Sequence, residues 1–168
     1  MSFLRIFVVS AWLATAALGA AAQVSPDLEV SGAVRQTVSL DAWQLAAFPQ
    51  EAIVQFVQTR SGQASPTSTV RGVKLAALVE RAGLVTPGKN DWKSLMVIAT
   101  ATDGYRAIFS WAEITNTAVG DGVLVVFERD GQPLDDREGK IALMSTTDRQ
   151  IGPRYVRNLA RIEIQSIH

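Results

Sequence analysis

The sequence predicts an α+β fold in which strands dominate and the helices are few and short. Three observations predict it. Short β-branched apolar runs recur along the chain and are separated by turn dipeptides, Asp103-Gly104 and Asp130-Gly131 foremost. Only a handful of segments carry helical spacing, each opened by a capping pair or closed by a glycine. The chain holds no cysteine and a single histidine, His168, so burial rather than cross-linking must hold it together.

Taken in order, Leu28 to Ser39 alternates as a strand, or as a strand pair broken at Gly32. Asp41 and Gln44 stand three apart, the spacing at which each side chain satisfies the other's backbone N–H, so a short helix is predicted to start there and to stop at Pro49. Ala52 to Thr59 is predicted as a strand with Ile53, Phe56 and Val57 toward the core and Gln55 and Gln58 elsewhere. Residues 60–69 (RSGQASPTST) read as a polar loop, either a plain connector or one wall of a site. Lys74 to Ala82 places Leu75, Leu78 and Val79 on one helical face, with Gly83 as the left-handed cap.

Leu95 to Thr102 and Tyr105 to Ser110 flank Asp103-Gly104 and form a hairpin, since both turn residues tolerate positive φ. Ser110 and Glu113 repeat the capping spacing and predict a helical turn carrying Trp111 and Ile114. Val123 to Glu128 is almost continuously apolar, a strand buried on both faces. After Asp130-Gly131 comes a charged loop, Asp135 to Lys140, and Ile141 to Met144 and Leu159 to Ile164 complete the strands.

Residues 1–22 are predicted as an export signal, to be removed before the fold forms. One charge at Arg5 precedes an apolar run from Ile6 to Gly19, which ends in Ala20-Ala21-Ala22. That run falls short of the roughly 20 residues a bilayer span needs, which argues against a retained anchor. Cleavage takes 22 of the 168 residues and leaves 146, enough for one domain over residues 23–168. Without Arg5 the cations number fifteen against sixteen anions, so the mature net charge is −1. A near-neutral chain with no basic stripe is a poor partner for nucleic acid, and no direct insertion into a membrane is expected after cleavage. The expected location is the periplasm.

The missing residues exclude whole reaction types. Zinc, copper and iron–sulfur sites need clusters of Cys or His, and Ser-His-Asp and Cys-His catalysis need them too. The polar residues that remain concentrate in 145–157 (STTDRQIGPRYVR). This segment brings Asp148, Arg149, Arg154 and Arg157 together with three hydroxyls, either as a pocket wall or as the solvated charges of a long loop. Trp111 and Tyr155 each combine a ring with a hydrogen-bond donor, and either can stack on a flat ligand or serve the core. Trp43 and Trp92 are expected to be packing residues.

Several stretches together resemble the oxidoreductase molybdopterin-binding domain of the sulfite oxidase family. They are SLDAWQLAAFP (39–49), the strand ending near Thr59, VRGVKLAALVERAG (70–83), DGYRAIFSWAEI (103–114) and GPRYVRNLARIEI (152–164). The resemblance implies a sulfite oxidase-like fold of mixed sheets and short helices. In enzymes of the family one cysteine thiolate at the end of the strand resembling Ala52 to Thr59 binds molybdenum. The position falls at Thr59, give or take one residue, and a neutral hydroxyl does not replace a soft thiolate.

What the resemblance leaves is the pocket, which in the enzymes receives a pterin. It implies a non-catalytic binding protein with no required cofactor and a pterin as ligand, molybdopterin itself not being expected. Asp148 would take two hydrogen bonds from the amino-pyrimidine face, Arg60 or Arg154 would meet ring acceptors, Trp111 or Tyr155 would stack, and Thr59 and Arg149 would border the site. Small exported members without the cysteine resemble periplasmic pterin-binding proteins that signal to the periplasmic region of a membrane sensor controlling cyclic-di-GMP. The alternatives are a molybdopterin-dependent oxidoreductase with an atypical, cysteine-free metal site, and a ligand-free interaction scaffold.

Overall fold

The computed structural model describes residues 27–59 and 67–167. The predicted export signal, Arg60 and His168 lie outside the described residues. Strands dominate, as the sequence predicts. The first sheet runs in the order β2-β1-β10-β5-β6, built from β1 (Leu28–Gly32), β2 (Val38–Leu40), β5 (Leu95–Ala101), β6 (Arg106–Ser110) and β10 (Leu159–Ser166). Its β1–β10 pair is parallel and the others are antiparallel, so the sheet is mixed. The second sheet is antiparallel, in the order β3-β4-β7-β8, from β3 (Ile53–Thr59), β4 (Thr67–Lys74), β7 (Val123–Arg129) and β8 (Gln132–Pro133). There β9 (Ala142–Ser145) pairs with the first half of β7.

Local chemistry sets the helices. In α1 (Ala42–Ala46) the Asp41 carboxylate accepts from the Gln44 N–H at 2.7 Å, while the Gln44 side chain accepts from the Asp41 N–H at 2.8 Å. Helix α2 (Leu75–Ala82) buries Leu75, Leu78 and Val79 and ends at Gly83, whose φ of +75° suits a residue without a Cβ. Helices α3 (Trp111–Asn116) and α4 (Val119–Gly122) are short, six and four residues long. Among the described residues, no helix is long and apolar enough to cross a membrane.

Two apolar clusters result. The main one lies between the sheets and under the helices, joining Val30, Val97, Phe109 and Ile162 to Leu45, Leu78, Val125, Phe127 and Leu143. The other covers the far face of the second sheet, with Val70, Leu124, Val126, Ala142 and Met144 at its centre. Strand β7 feeds both, since alternate residues point to opposite faces, which explains its unbroken apolar run.

Four expectations need correction. The predicted loop 60–69 is already strand from Thr67, because pairing of Thr67 with Thr59 extends the β3–β4 hairpin past its Ser/Thr-rich composition. In β3, Phe56 and Val57 cannot both face inward. Strict alternation turns Val54, Phe56 and Gln58 to one side and leaves Val57 exposed. The predicted turn at Ser110 does form, with Trp111 and Ile114 buried, but Ser110 makes no side-chain cap bond and the Glu113 carboxylate pairs with Arg154. Trp43 is not a packing residue: with Leu45 buried, the five-residue helix turns Trp43 outward, 84 % exposed. Trp92 does pack against the main cluster.

Candidate functional site

The far face of the second sheet carries the densest polar constellation among the described residues. Cross-strand register builds it. Gln58 lies opposite Ser68, Phe56 opposite Val70, and Val70 opposite Arg129, so all five residues share one face. The apolar residues hold the middle of that face, and the polar ones gather at the end nearest the Thr59–Thr67 pair.

Arg129 is the hub. Its Nε and Nη2 donate to the two oxygens of Glu138, each at 2.8 Å, and its Nη1 donates to Ser68 Oγ at 2.8 Å and to Gln58 Oε1 at 3.3 Å. The Tyr155 hydroxyl accepts from Arg129 Nη2 at 3.3 Å and donates to Glu138 Oε1. Arg129 and Glu138 side chains are only 16 % and 11 % exposed, so this is a largely dry, charge-assisted network. Burial works against the Glu138 charge, but the hydrogen bonds from Arg129 and Tyr155 outweigh it and hold the carboxyl below its ordinary value. Burial likewise opposes the Arg129 charge, and Glu138 outweighs it, keeping the guanidinium above its ordinary value. Burial pushes the Tyr155 phenol up to about 12, with its bond to Glu138 adding to the rise.

A second network sits in the 145–157 segment, which straps across the same face. Backbone bonds anchor the strap at both ends. Thr146 N–H donates to Gly122 O at 2.8 Å, and Leu143 and Val156 exchange both backbone bonds at 2.8 and 2.9 Å. Gly152–Arg154 forms one 3₁₀ turn with Pro153 inside it, and the Tyr105 hydroxyl donates to Pro153 O at 2.6 Å. That turn aims Arg154 back at Asp148. Arg154 Nε donates to Asp148 Oδ2 at 2.7 Å, Nη2 donates to Oδ1, and Nη1 reaches Glu113 at 3.1 Å. Ser145 Oγ donates to Asp148 Oδ1 at 2.7 Å, and the guanidinium lies over the Phe109 ring, 4.5 Å from its centre. The hydrogen bonds from Arg154 hold the Asp148 carboxyl below its ordinary value. The bond to Asp148 holds the Arg154 guanidinium above its own.

The structure therefore joins Asp148 to Arg154 and sets Tyr155 beside them, and it disperses the other expected residues. Three acceptor positions of Asp148 are filled by Arg154 and Ser145, so little of the carboxylate is left to meet a ligand. Thr59 is exposed and, by the pleat, faces away from Gln58 and the network. Arg149 is exposed and makes no ion pair among the described residues. Trp111 is 4 % exposed in the main cluster and borders a different cleft, of about 570 Å³, with Arg35, Glu80 and Trp92. Arg60 lies outside the described residues.

Sequence reasoning missed Arg129 and Glu138. The first ends an apolar strand and the second sits in a charged loop, both unremarkable in one dimension. Parity misdirects here: plain alternation puts Arg129 with Val125 and Phe127 on the main-core side, and only the register shift opposite Arg71 and Gly72 turns it to the far face.

The donor set does not fit the family's molybdenum. The chain has no thiol, and the β3 residues turned toward the network are Phe56 and Gln58, an aromatic ring and a neutral amide. Neither is a soft, anionic ligand. Among the described residues no group of three or more His, Cys, Asp or Glu is placed to hold a metal ion.

The family model described as oxidoreductase molybdopterin binding domain matches residues 20–167 of this chain. No curated protein matches it.

Proposed function

Because the chain belongs to the oxidoreductase molybdopterin binding domain family, we propose that it has kept the family's ligand face and given up its metal chemistry, and that it is a non-catalytic binding protein for a pterin. One observation carries this reading. The strand end where the family's enzymes place their thiolate presents Phe56 and Gln58 toward a buried Arg129–Glu138–Tyr155 network, an environment for a flat, polar-edged ring and not for a metal.

In this reading the Tyr155 ring, half-buried with Arg157 over it at 5.4 Å, supplies the stacking surface. Asp148 and Arg154 act mainly on each other, fixing the strap that forms the wall. Trp111, on the other cleft, takes no part. The protein is exported to the periplasm, and its ligand-loaded form docks on the periplasmic region of a membrane sensor controlling cyclic-di-GMP. The charge, apolar run and small residues of 1–22 support the first statement, and the sequence resemblance supports the second.

Calorimetric titration with reduced neopterin and monapterin tests the binding. Saturable micromolar binding that Tyr155→Ala and Asp148→Ala both weaken is expected, and no saturable heat overturns the reading. Stoichiometric molybdenum in protein exported from cofactor-competent cells would also overturn it.

A second reading, a ligand-free interaction domain, is favoured by the internal pairing of both Glu138 and Asp148. It predicts no binding of either pterin and an unchanged protein surface in the Asp148→Ala titration.

A further inference from the structure

We infer that the groove beside Trp43 is a second ligand site, and that it takes an apolar body carrying a positive charge, an ammonium or a guanidinium. The argument begins with the helix. Capping at Asp41 and burial of Leu45 fix the rotation of α1, and that rotation holds the Trp43 indole in solvent. A large aromatic left bare contributes nothing to the core, and exposed tryptophans are characteristic of binding surfaces.

Trp43 stands at the edge of a cavity of about 530 Å³, within the size range of small-molecule sites. The floor is apolar, made by Ala42, Ala46, Phe127, Leu134 and Ile141. Around it the charges are unequal: Asp27, Asp41 and Glu128 face one cation, Lys140. Glu128 is neutralised by Arg71 at 2.7 Å, and Asp41 uses one oxygen on the Gln44 N–H. Asp27 and Lys140 have no side-chain partner among the described residues. The balance stays negative, which favours a cation. A cation held over the indole face is attracted by the negative face of the ring, while its apolar body displaces water from the floor. The groove shares no polar residue with the Arg129 network, so this inference stands apart from the pterin reading.

The test uses the purified full-length protein and phenethylammonium, followed through the backbone N–H signals of Ala42, Ala46 and Gly131, which line the groove, in ¹H–¹⁵N spectra. Neutral 2-phenylethanol and anionic 3-phenylpropionate are the matched controls. The cation is expected to saturate, at least about tenfold tighter than either control, and Trp43→Ala is expected to abolish binding while Trp92→Phe leaves it intact. The peptide acetyl-Leu-Arg-Leu-amide separates the two sources of such a cation. Tighter binding of the peptide assigns the site to an arginine or lysine of a protein partner, and tighter binding of the amine assigns it to a free solute. Equal affinity for the three small probes, no saturation by either cation, or an unchanged response in Trp43→Ala overturns the inference.

Discussion

Arg129 grips Glu138 through two parallel hydrogen bonds, Nε to Oε2 and Nη2 to Oε1, both at 2.8 Å, across nine residues of sequence that include the β7–β8 turn. The pair ties the end of the second sheet to the loop before β9, and Tyr155 locks the strap onto both.

Removing one partner strands the other's charge in a nearly dry site. Arg129→Leu is expected to destabilise the protein by about 3 kcal/mol, whereas Arg129→Leu combined with Glu138→Leu recovers most of that loss. Urea unfolding of the two variants checks it, and equal losses would show that the pair is not coupled.

The Tyr155 phenol has a folded pKa of about 12 against an ordinary value of 10.0. Its raised pKa means the native state holds the proton more tightly, so the contribution is complete below pH 10 and disappears as pH rises through about 12. Stability of the wild type is expected to fall across that window. Tyr155→Phe should be less stable at neutral pH and should show a flatter alkaline limb in chemical denaturation.

The acid limb has the opposite sign. Asp148 and Glu138 are held below their ordinary values of 3.8 and 4.5, so their contribution is present above those values and is lost as pH falls below them. Asp148→Asn should lower stability near pH 7 and reduce the slope of the acid limb, measured by thermal unfolding between pH 6 and pH 2, about the range over which carboxylates titrate.

Two tryptophans should respond in contrasting ways. Trp111→Ala empties a site in the main cluster and is expected to cost about 3–5 kcal/mol. Trp43→Ala removes a side chain that touches mostly water and is expected to stay within about 0.5 kcal/mol of wild type. Denaturant midpoints of the two variants decide it.

Gly120 packs against backbone with no room to spare: a Cβ there would lie 1.7 Å from Ile114 O. Gly120→Ala is expected to destabilise by more than about 2 kcal/mol and to disturb the α3–α4 junction, visible as local loss of amide protection.

Much of the fold was legible in one dimension because its causes are local. The capping box at Asp41 and Gln44 acts over three residues, Gly83 ends α2 through its own φ, and Asp103-Gly104 turns a hairpin within four positions. The same spacing at Ser110 and Glu113 located the helical turn but not its cap, since the Glu113 carboxylate is taken by Arg154, forty-one residues away. Asp148 was found as a polar residue in a dense segment, but its partner is the chain's own Arg154, and no spacing rule says whether a carboxylate faces a ligand or a neighbour.

By itself the sequence determined the strand-dominant class, the positions of most turns and helix ends, and the lack of any thiol, because periodicity, capping and composition are properties of short windows. Only the tertiary structure decided that Thr59 turns away while Gln58 turns in, that Arg129 and Glu138 meet, and that Trp43 stands in solvent. Those outcomes depend on which strands pair and in what register, and a shift of one residue in that pairing would reverse every side chain's face.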